Sequence, residues 1–248
     1  MRPTRDDFTQ TIILAAGNGS RLGGGHGVPK PLTKVGGVPL IAHALSQARS
    51  SGCIEALIVV GHEGARVRAA VEQMATGLRV RFVTTPDPSS PNGVSLLATE
   101  ALAARHFFLQ MVDHVFSAVV LPRLTASPFE PAECGRVLVD RTPGADVDLE
   151  DATKVRLLGS LVVAIGKGIE PWEAVDAGCF ALTDTVFAAL RQVPASDPRT
   201  VSSGMQQMAS RGSLGAVALA GVEWTDVDTP SDREVAERVL AGVSQRPL

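Results

Sequence analysis

Four short apolar runs alternate with helical patterns over the first half of this chain, and this alternation restricts its fold more than any other feature. The apolar runs lie at residues 11–15, 56–60, 78–83 and 106–112, and the helical patterns lie at 38–49, 63–74 and 94–102. Strands that alternate with helices in this way form a parallel, doubly wound sheet. Ligands of such sheets bind beyond the carboxyl ends of the strands. The glycine-rich loop after the first run, the proline-rich turn after the third and Asp113 after the fourth are therefore candidate ligand-binding segments.

The second half of the chain is less regular, and its pattern favours antiparallel strands joined by short turns. Strands are predicted at 136–139, 155–158, 161–165, 175–182, 214–220 and 222–227, and helices at 184–191, 201–211 and 231–241. The last helix begins with proline at its first position, which is a common way for a helix to start. We find no internal repeat, so we expect one domain over residues 1–248.

Composition and charge exclude several classes of protein. The 248 residues are 45% hydrophobic with a net charge of −3, which argues against a nucleic-acid-binding surface. No apolar run approaches the roughly 18 residues of a transmembrane helix, and the N-terminal run is too short for a signal peptide. The three cysteines are too widely spaced for a disulfide framework or a zinc site. We therefore expect a cytoplasmic protein with no membrane segment; its oligomeric state stays open, a homodimer included.

The loop after the first strand has the composition of an anion-binding site. No Asp or Glu occurs from Phe8 to Ile54, a segment that contains Arg21 and Lys30. Glycines let backbone N–H groups approach phosphate oxygens, an arginine can clamp a diphosphate, and a lysine can place charge on a phosphorus atom. The glycine spacing does not fit the dinucleotide fingerprint, and the Gly-Lys-Ser/Thr of the P-loop is absent. These two failures exclude a nicotinamide-dependent reductase and a P-loop protein.

The residues of this loop resemble the signature of the sugar-phosphate nucleotidyltransferase family. The match consists of Leu14-Ala15-Ala16-Gly17-x-Gly19-x-Arg21-Leu22, followed by Lys30-Pro31-Leu32. The resemblance implies a Rossmann-like three-layer α/β/α sandwich with a central mixed, mostly parallel sheet. It also implies that Arg21 grips the β- and γ-phosphates and that Lys30 stabilises the α-phosphate in the transition state. The loop residues expected to bind the nucleotide are Leu14, Ala15, Ala16, Gly17, Asn18, Gly19 and Ser20.

Two aspartates at predicted strand ends are candidate metal ligands. Asp113 follows the fourth apolar run, and Asp228 lies where a strand meets the last predicted helix. Mg²⁺ prefers one or two carboxylates together with phosphate oxygens and water, and the resembled family uses such a pair. Asp226 is a weaker candidate because it points to the opposite face if its strand continues that far. The pair 226 and 228 also fits the Asp-x-Asp of metal-dependent glycosyltransferases, which lack the glycine loop.

The loop that opens the third predicted helix is a candidate for binding the base or the ribose. Asn92 and Ser95 can hydrogen-bond and Gly93 permits close approach, although asparagine and serine are also ordinary turn and helix-cap residues. Blocks at 92–97, 112–114, 148–155, 165–169 and 172–180 look like those of CTP:inositol-1-phosphate cytidylyltransferases. This resemblance implies a cytosine base. The residues that it assigns to the phosphorylated acceptor are His114, Lys154, Lys167, Glu173, Asp176 and Gly178.

The expected reaction joins an NTP, CTP by resemblance, to inositol-1-phosphate or a related polyol or sugar phosphate, with Mg²⁺ as cofactor. Residues 9–115 would form the nucleotide-binding half, 116–230 the acceptor-binding half and 230–248 a C-terminal helix. UTP or GTP, and phosphocholine, a phosphonate or a sugar-1-phosphate, remain alternatives, as does a non-catalytic nucleotide-sugar-binding protein. A quaternary ammonium group such as choline is usually bound by a cage of aromatic side chains, and the chain has few residues for such a cage because it contains no tyrosine. The resembling proteins often carry a fused membrane-embedded synthase, which this sequence lacks, so we expect either a separate downstream enzyme or a different acceptor.

Overall fold

The computed structural model describes residues 3–17, 19, 22 and 27–242. The strands are β1 (Gln10–Ala15), β2 (Lys34–Val35), β3 (Val38–Pro39), β4 (Glu55–Val60), β5 (Arg79–Thr84), β6 (His106–Met111), β7 (His114–Phe116), β8 (Gly135–Asp140), β9 (Lys154–Leu158), β10 (Leu161–Gly166), β11 (Ala174–Thr183), β12 (Leu214–Ala218) and β13 (Trp224–Asp226). The helices are α1 (Leu40–Ser50), α2 (Gly64–Glu72), α3 (Asn92–Leu97), α4 (Thr185–Arg191), α5 (Val201–Ala209) and α6 (Pro230–Leu240). None of the described helices has the length and apolar character needed to cross a lipid bilayer.

One mixed sheet of nine strands forms the centre of the protein, in the order β5-β4-β1-β6-β11-β8-β12-β10-β9. The four strands from the first half of the chain are parallel, as predicted. Strand β11 is antiparallel to β6 and to β8, β12 returns parallel to β8, and β9 and β10 form an antiparallel hairpin at the edge. The expected mixed, mostly parallel α/β sheet is therefore confirmed, and the parallel strands end at one common edge.

Helices cover both faces of this sheet because the central strands are apolar on both sides. Alternate residues of a strand point to opposite faces. Ile12 and Leu14 pack in one cluster with residues of α3, α4 and α5, whereas Ile13 and Ala15 pack in another with residues of α1, α2 and α6. A continuous apolar run is thus the pattern of a strand buried on both faces, and it produces the predicted three-layer sandwich.

One predicted helix is shorter than its pattern suggested. The sequence predicts a helix over 94–102, but α3 ends at Leu97 and the following residues form turns. The Thr99 hydroxyl donates a hydrogen bond of 2.7 Å to the carbonyl oxygen of Leu96. A threonine side chain that bonds nearby backbone in this way competes with regular helix hydrogen bonding. The apolar periodicity therefore continued beyond the point where the helical backbone ends.

A short two-stranded ribbon, β7 with β13, lies at the carboxyl edge of the main sheet. The ribbon is antiparallel and pairs His114 with Asp226, and the Val227 N–H donates to the Asp113 carbonyl oxygen at 3.0 Å. It joins the segment that follows β6 to the segment that precedes α6. Asp113 immediately precedes one strand of the ribbon and Asp228 follows the other, so the pairing brings two distant aspartates together.

A buried arginine holds the segment that connects β7 of the ribbon to β8 of the main sheet. Arg136 in β8 is 4% exposed, and its guanidinium donates to the carbonyl oxygens of Ser127 at 2.8 Å and Pro128 at 2.6 Å. It also pairs with Glu133 at 2.7 Å. Because an ion pair this deeply buried compensates its own desolvation, loss of one partner leaves an uncompensated charge.

Arg136→Met should therefore lower the free energy of unfolding by about 3–5 kcal/mol, the usual cost of breaking a buried pair by removing one member. Urea denaturation of the wild type and the variant measures this. Arg191→Met is the matched control, since the Arg191 pair with Glu100 is exposed and should contribute much less to stability. Equal losses in the two variants would contradict the assigned role of Arg136.

Candidate active site

A buried lysine lies between two aspartates at the carboxyl edge of the sheet. Lys30 is 8% exposed, and its Nζ is 2.5 Å from Asp113 Oδ2 and 2.5 Å from Asp228 Oδ1. The three residues come from the loop after β1, from the turn between β6 and β7, and from the turn between β13 and α6. The sequence singled out all three residues, and the structure brings them together.

Each charge in this cluster is stabilised by the others. Burial on its own would lower the pKa of Lys30, but Asp113 and Asp228 outweigh it and raise that pKa above the ordinary value. Burial would likewise raise the pKa of Asp113, yet Lys30 and His114 hold it well below its usual range. Lys30 and Asp113 are therefore both charged at neutral pH.

Local hydrogen bonds fix the positions of these side chains. Lys30 begins a short turn of 3-10 helix over Lys30–Leu32, and Gly19 packs directly on its side chain, since a Cβ at Gly19 would lie 2.5 Å from the Lys30 Cβ. At the start of α6, the Asp232 carboxylate accepts hydrogen bonds from the Asp228 N–H at 3.0 Å and the Thr229 N–H at 2.7 Å. This capping box fixes the backbone that carries Asp228.

A polar cavity of about 300 Å³ adjoins the lysine cluster. Aspartates dominate its lining, which also includes His114, Lys167, Phe180 and Trp224. The aspartates that line it are Asp113, Asp146, Asp148, Asp151, Asp176, Asp226, Asp228 and Asp232. Asp226, the weaker metal candidate, faces the same cavity as Asp228 because β13 ends at Asp226. A ligand in this cavity therefore meets carboxylates from several sides.

His114 connects the lysine cluster to the cavity. Its Nδ1 is 2.8 Å from Asp113 Oδ1, the oxygen that Lys30 does not contact. Burial acts to lower the pKa of His114, but its bond to Asp113 and the nearby Asp226 and Asp176 raise that pKa above its usual value. Since His114 also lines the cavity, the Asp113 carboxylate is shared between Lys30 on one side and the cavity wall on the other.

An irregularity in β11 shapes the cavity wall beside His114. The pairing of β11 with β8 shifts register between Asp176 and Phe180, and Gly178 within this stretch has φ +71°. A Cβ on Gly178 would lie 2.4 Å from His114 Cδ2, so only glycine leaves room for the imidazole there. The Asp176 carboxylate accepts a 2.8 Å hydrogen bond from the Gly178 N–H and lines the cavity.

The glycine loop is described only in part. Leu14, Ala15 and Ala16 are buried at the end of β1, whereas Gly17 is exposed at the sheet edge. Asn18, Ser20 and Arg21 lie outside the described residues. The assignment of this loop to the nucleotide phosphates stays a prediction. The structural observation most relevant to this prediction is the position of Lys30 at the carboxyl edge of the sheet.

The three residues predicted to contact the base or ribose also make contacts within the protein. Asn92 Oδ1 accepts the Val201 N–H at 2.8 Å and so ties α3 to the start of α5. Gly93 packs against backbone, since a Cβ there would lie 2.5 Å from the Arg199 carbonyl oxygen. Ser95 is buried and donates to the Thr85 hydroxyl at 3.1 Å. Only Asn92 among the three lines the cavity, and their role in nucleotide binding stays a prediction.

Two of the predicted acceptor residues do not line the cavity. Glu173 accepts a 2.8 Å hydrogen bond from the Leu157 N–H on the edge strand β9, and Lys154 Nζ donates to the Lys167 carbonyl oxygen at 3.1 Å. Lys167 does line the cavity, where its Nζ pairs with Asp151. His114, Lys167, Asp176 and Gly178 thus line the cavity and Lys154 and Glu173 do not, and the acceptor role of all six residues stays a prediction.

Sequence reasoning missed Trp224, Ser202 and Asp232, which also line the cavity. The acidic residues at 146–151 could have been found from their charge density between two predicted strands. Trp224 gave no comparable signal, because a lone tryptophan in a strand pattern is most simply a core residue. Its place beside His114 depends on the pairing of β7 with β13.

The α/β/α sandwich, together with a lysine and two carboxylates at its carboxyl edge, defines a nucleotide-handling class of α/β protein. Residues 11–146 match the model of the MobA-like NTP transferase domain, and the chain belongs to that family. It is 34% identical over 243 residues to a "Bifunctional IPC transferase and DIPP synthase" of Rubrobacter xylanophilus, covering 97% of this chain and 54% of the relative. The chain thus spans about half the length of these curated relatives.

Two further similarities were found. A "CMP-5'-(3-aminopropyl)phosphonate synthase" of Streptomyces rubellomurinus is 31% identical over 250 residues, covering 92% of this chain and 38% of that protein. The solved structure of "the inositol-1-phosphate CTP transferase from T. maritima" superposes with a TM-score of 0.81 at 23% identity, covering 98% of this chain and all of that one. At this identity the superposition establishes a common fold.

Asp176 should give the protein a measurable pH dependence of stability. Burial raises the pKa of Asp176 to about 6, against the favourable bond from Gly178 and the charge of His114. The folded state then binds this proton more tightly than the unfolded state, so the free energy of unfolding should fall as pH rises from about 4 to about 6. Asp176→Asn removes this term and keeps an oxygen for the Gly178 N–H.

We expect the stability of Asp176→Asn relative to wild type to increase by about 1–3 kcal/mol between pH 4 and pH 7. Urea denaturation of both proteins across this range measures the difference, and titration of groups that do not interact with Asp176 cancels in the comparison. A difference that stays constant with pH would contradict the raised pKa of Asp176.

Proposed function

We propose that this chain is a cytidylyltransferase that joins CTP to a phosphorylated polyol, inositol-1-phosphate being the first candidate, and releases pyrophosphate. The observation that carries the proposal is the buried Lys30 held between Asp113 and Asp228 beside a polar cavity of about 300 Å³. Membership of the MobA-like NTP transferase family supports nucleotidyl transfer. The names of the relatives and of the T. maritima structure support CTP and inositol-1-phosphate as substrates.

The proposed chemistry is an in-line displacement at the α-phosphorus of the nucleotide. An oxygen of the acceptor phosphate forms the new P–O bond, the bond to the β-phosphate breaks, and pyrophosphate leaves with its electron pair. A phosphate monoester has its second pKa near 6, so the acceptor is already largely dianionic at neutral pH and needs no general base. The protein contributes by positioning and by neutralising charge. Lys30 is assigned to the α-phosphate and Arg21 to the β- and γ-phosphates.

The residues at this edge suit a divalent cation. Nucleotidyltransferases of this family generally use a divalent metal ion, and we propose Mg²⁺ held by Asp113 and Asp228. No group of three or more His, Cys, Asp and Glu side chains with metal-binding geometry occurs among the described residues. Two convergent carboxylates nevertheless fit Mg²⁺, which takes its remaining ligands from substrate phosphates and water. When bound, the ion would neutralise charge on the phosphates, while Lys30 balances charge on the carboxylates.

The cavity beyond His114 is the proposed acceptor site. Lys167 is assigned to the acceptor phosphate, and Asp176 to the acceptor hydroxyls. Carboxylates accept hydrogen bonds from hydroxyl groups, and the cavity carries many of them, so a polyol can be bound at several points. Aromatic side chains are sparse in the lining, with Phe180 and Trp224 the ones among the described residues, which disfavours a quaternary ammonium cage.

An aminoalkylphosphonate is the second candidate acceptor. The same aspartate-rich lining would attract a cationic amine, and one relative is named for a reaction that yields a CMP-linked (3-aminopropyl)phosphonate. A phosphonate keeps the anionic oxygens needed for attack on the nucleotide. The two candidates therefore differ in the group that faces the aspartates, a neutral hydroxyl or an ammonium.

A pyrophosphate-release screen tests the proposal directly. Each of four NTPs is combined with Mg²⁺ and with inositol-1-phosphate, 3-aminopropylphosphonate, phosphocholine or glucose-1-phosphate. We expect turnover with CTP and inositol-1-phosphate. Turnover with CTP and the phosphonate alone would show that the acceptor is a phosphonate and not inositol-1-phosphate. Turnover with UTP or GTP alone would show that the nucleotide is not CTP. The absence of turnover with every pair would reject the enzymatic proposal.

Lys30→Ala should reduce turnover by about a hundredfold or more, because it removes a buried charge aimed at the reacting phosphate. Lys34→Ala is the matched control, since Lys34 is an exposed lysine four residues away in β2 and should keep wild-type turnover. Lys30→Arg preserves the charge with a different shape and serves if the alanine variant does not fold. Wild-type turnover in a folded Lys30 variant would contradict the assignment.

A further inference from the structure

We propose that Trp224 is the positioning residue of the acceptor site, holding the His114 imidazole so that its Nε2 faces the bound acceptor. The inference rests on the proposed function for its reaction and on contacts of the described residues for its geometry. Trp224 lies in β13 at the wall of the cavity and is 7% exposed.

A buried carboxylate fixes the plane of the indole. Trp224 Nε1–H donates a 2.9 Å hydrogen bond to Asp140 Oδ2. Asp140 ends β8 in the main sheet, is 2% exposed, and accepts a second hydrogen bond from the Thr142 N–H at 3.0 Å on its other oxygen. Since this carboxylate is held by the main sheet, the indole that bonds to it is held as well.

The indole in turn restrains the imidazole. The rings of Trp224 and His114 are 5.4 Å apart between centroids and tilted by only 9°. Phe116 also packs against Trp224, with 6.4 Å between ring centroids. Near-parallel aromatic pairs at such distances are favourable and prefer a limited range of ring orientations. The stack therefore restricts rotation of His114 about its side-chain bonds.

Two further contacts fix the two edges of the imidazole. Nδ1 donates to the Asp113 carboxylate, and the ring edge with Cδ2 and Nε2 faces the bare Cα of Gly178. No described residue forms a hydrogen bond with Nε2, and His114 lines the cavity. Nε2 is thus placed to contact a phosphate oxygen or hydroxyl of the acceptor beside the reacting centre.

The chain of contacts runs from Asp140 through Trp224 and His114 to Asp113. Trp224 need not touch the acceptor, because it acts through the imidazole. A positioning role differs from a purely structural one in a measurable way: removing Trp224 should change acceptor use and leave CTP use unchanged. The effect of removing Trp224 on acceptor use should also disappear once His114 has been replaced.

The test combines Trp224→Leu, His114→Asn and the double variant, with Trp172→Leu as the matched control because Trp172 is a tryptophan that does not line the cavity. Pyrophosphate release is measured with CTP and inositol-1-phosphate. Trp224→Leu should lower kcat/KM for inositol-1-phosphate by about tenfold or more, mainly through KM, with KM for CTP unchanged. The double variant should be no worse than His114→Asn, which is the non-additivity expected of residues that act as one unit.

An NMR measurement tests the geometry without turnover. The chain has five histidines, so the signal lost in His114→Asn identifies the His114 Cε1 proton. Stacking on the indole should shift this proton; Trp224→Phe should reduce the shift and Trp224→Leu abolish it. An unchanged signal in Trp224→Leu, or kinetic effects of Trp224→Leu and His114→Asn that simply add, would overturn the inference. A wild type with no turnover would reject the proposed function, while the NMR result would still decide whether Trp224 holds the ring.

Discussion

The pairing of one buried lysine with two aspartates is the interaction on which the rest of the site depends. Lys30 contacts residues that lie 83 and 198 positions further along the chain. A lysine or a carboxylate buried alone would lose several kcal/mol of hydration energy, so neither can occupy this edge without the others. The fold therefore has to bring the three loops that carry these residues together at one point. Since the cluster carries two negative charges and one positive charge, it retains a negative charge that favours binding of a divalent cation.

The parts of the fold that were predictable are those that leave a local pattern in the sequence. The strands that carry Ile13 and Ile58 are continuously apolar because both of their faces are buried, and their alternation with helical patterns indicated a parallel sheet. Parallel strands end at one edge, which is why Asp113 could be placed near the glycine loop. The Lys30 contact with Asp113 and Asp228 agrees with that expectation. The fold and half of the site thus follow from strand ends and from a resemblance in one loop.

The remaining features depend on contacts that no local pattern encodes. Ribbon β7–β13 pairs residues more than a hundred positions apart, and its strands are three residues long, so no periodicity marks it. The hydrogen bond of Trp224 to Asp140 arises from the same long-range pairing. Glu173 shows the same dependence on the fold: its residue type suits hydroxyl binding, and its carboxylate accepts a hydrogen bond from the Leu157 N–H at a sheet edge. A polar side chain shows its chemistry in the sequence, but its partner is decided by the fold.

Asp113 links the chemistry of the two substrates. One of its oxygens contacts Lys30 and the other contacts His114, so a single carboxylate borders both the proposed nucleotide side and the proposed acceptor side. Asp113 and His114 are adjacent in the chain, and the ribbon that follows fixes both. A change in the proposed acceptor wall, at Gly178 or Trp224, would therefore reach Asp113, the proposed metal ligand, through the imidazole. The aspartates at 146, 148 and 151 line the same cavity from a different loop and have no hydrogen bond to Asp113 among the described residues. We therefore expect substitutions of these aspartates to change acceptor binding more than they change the position of Asp113.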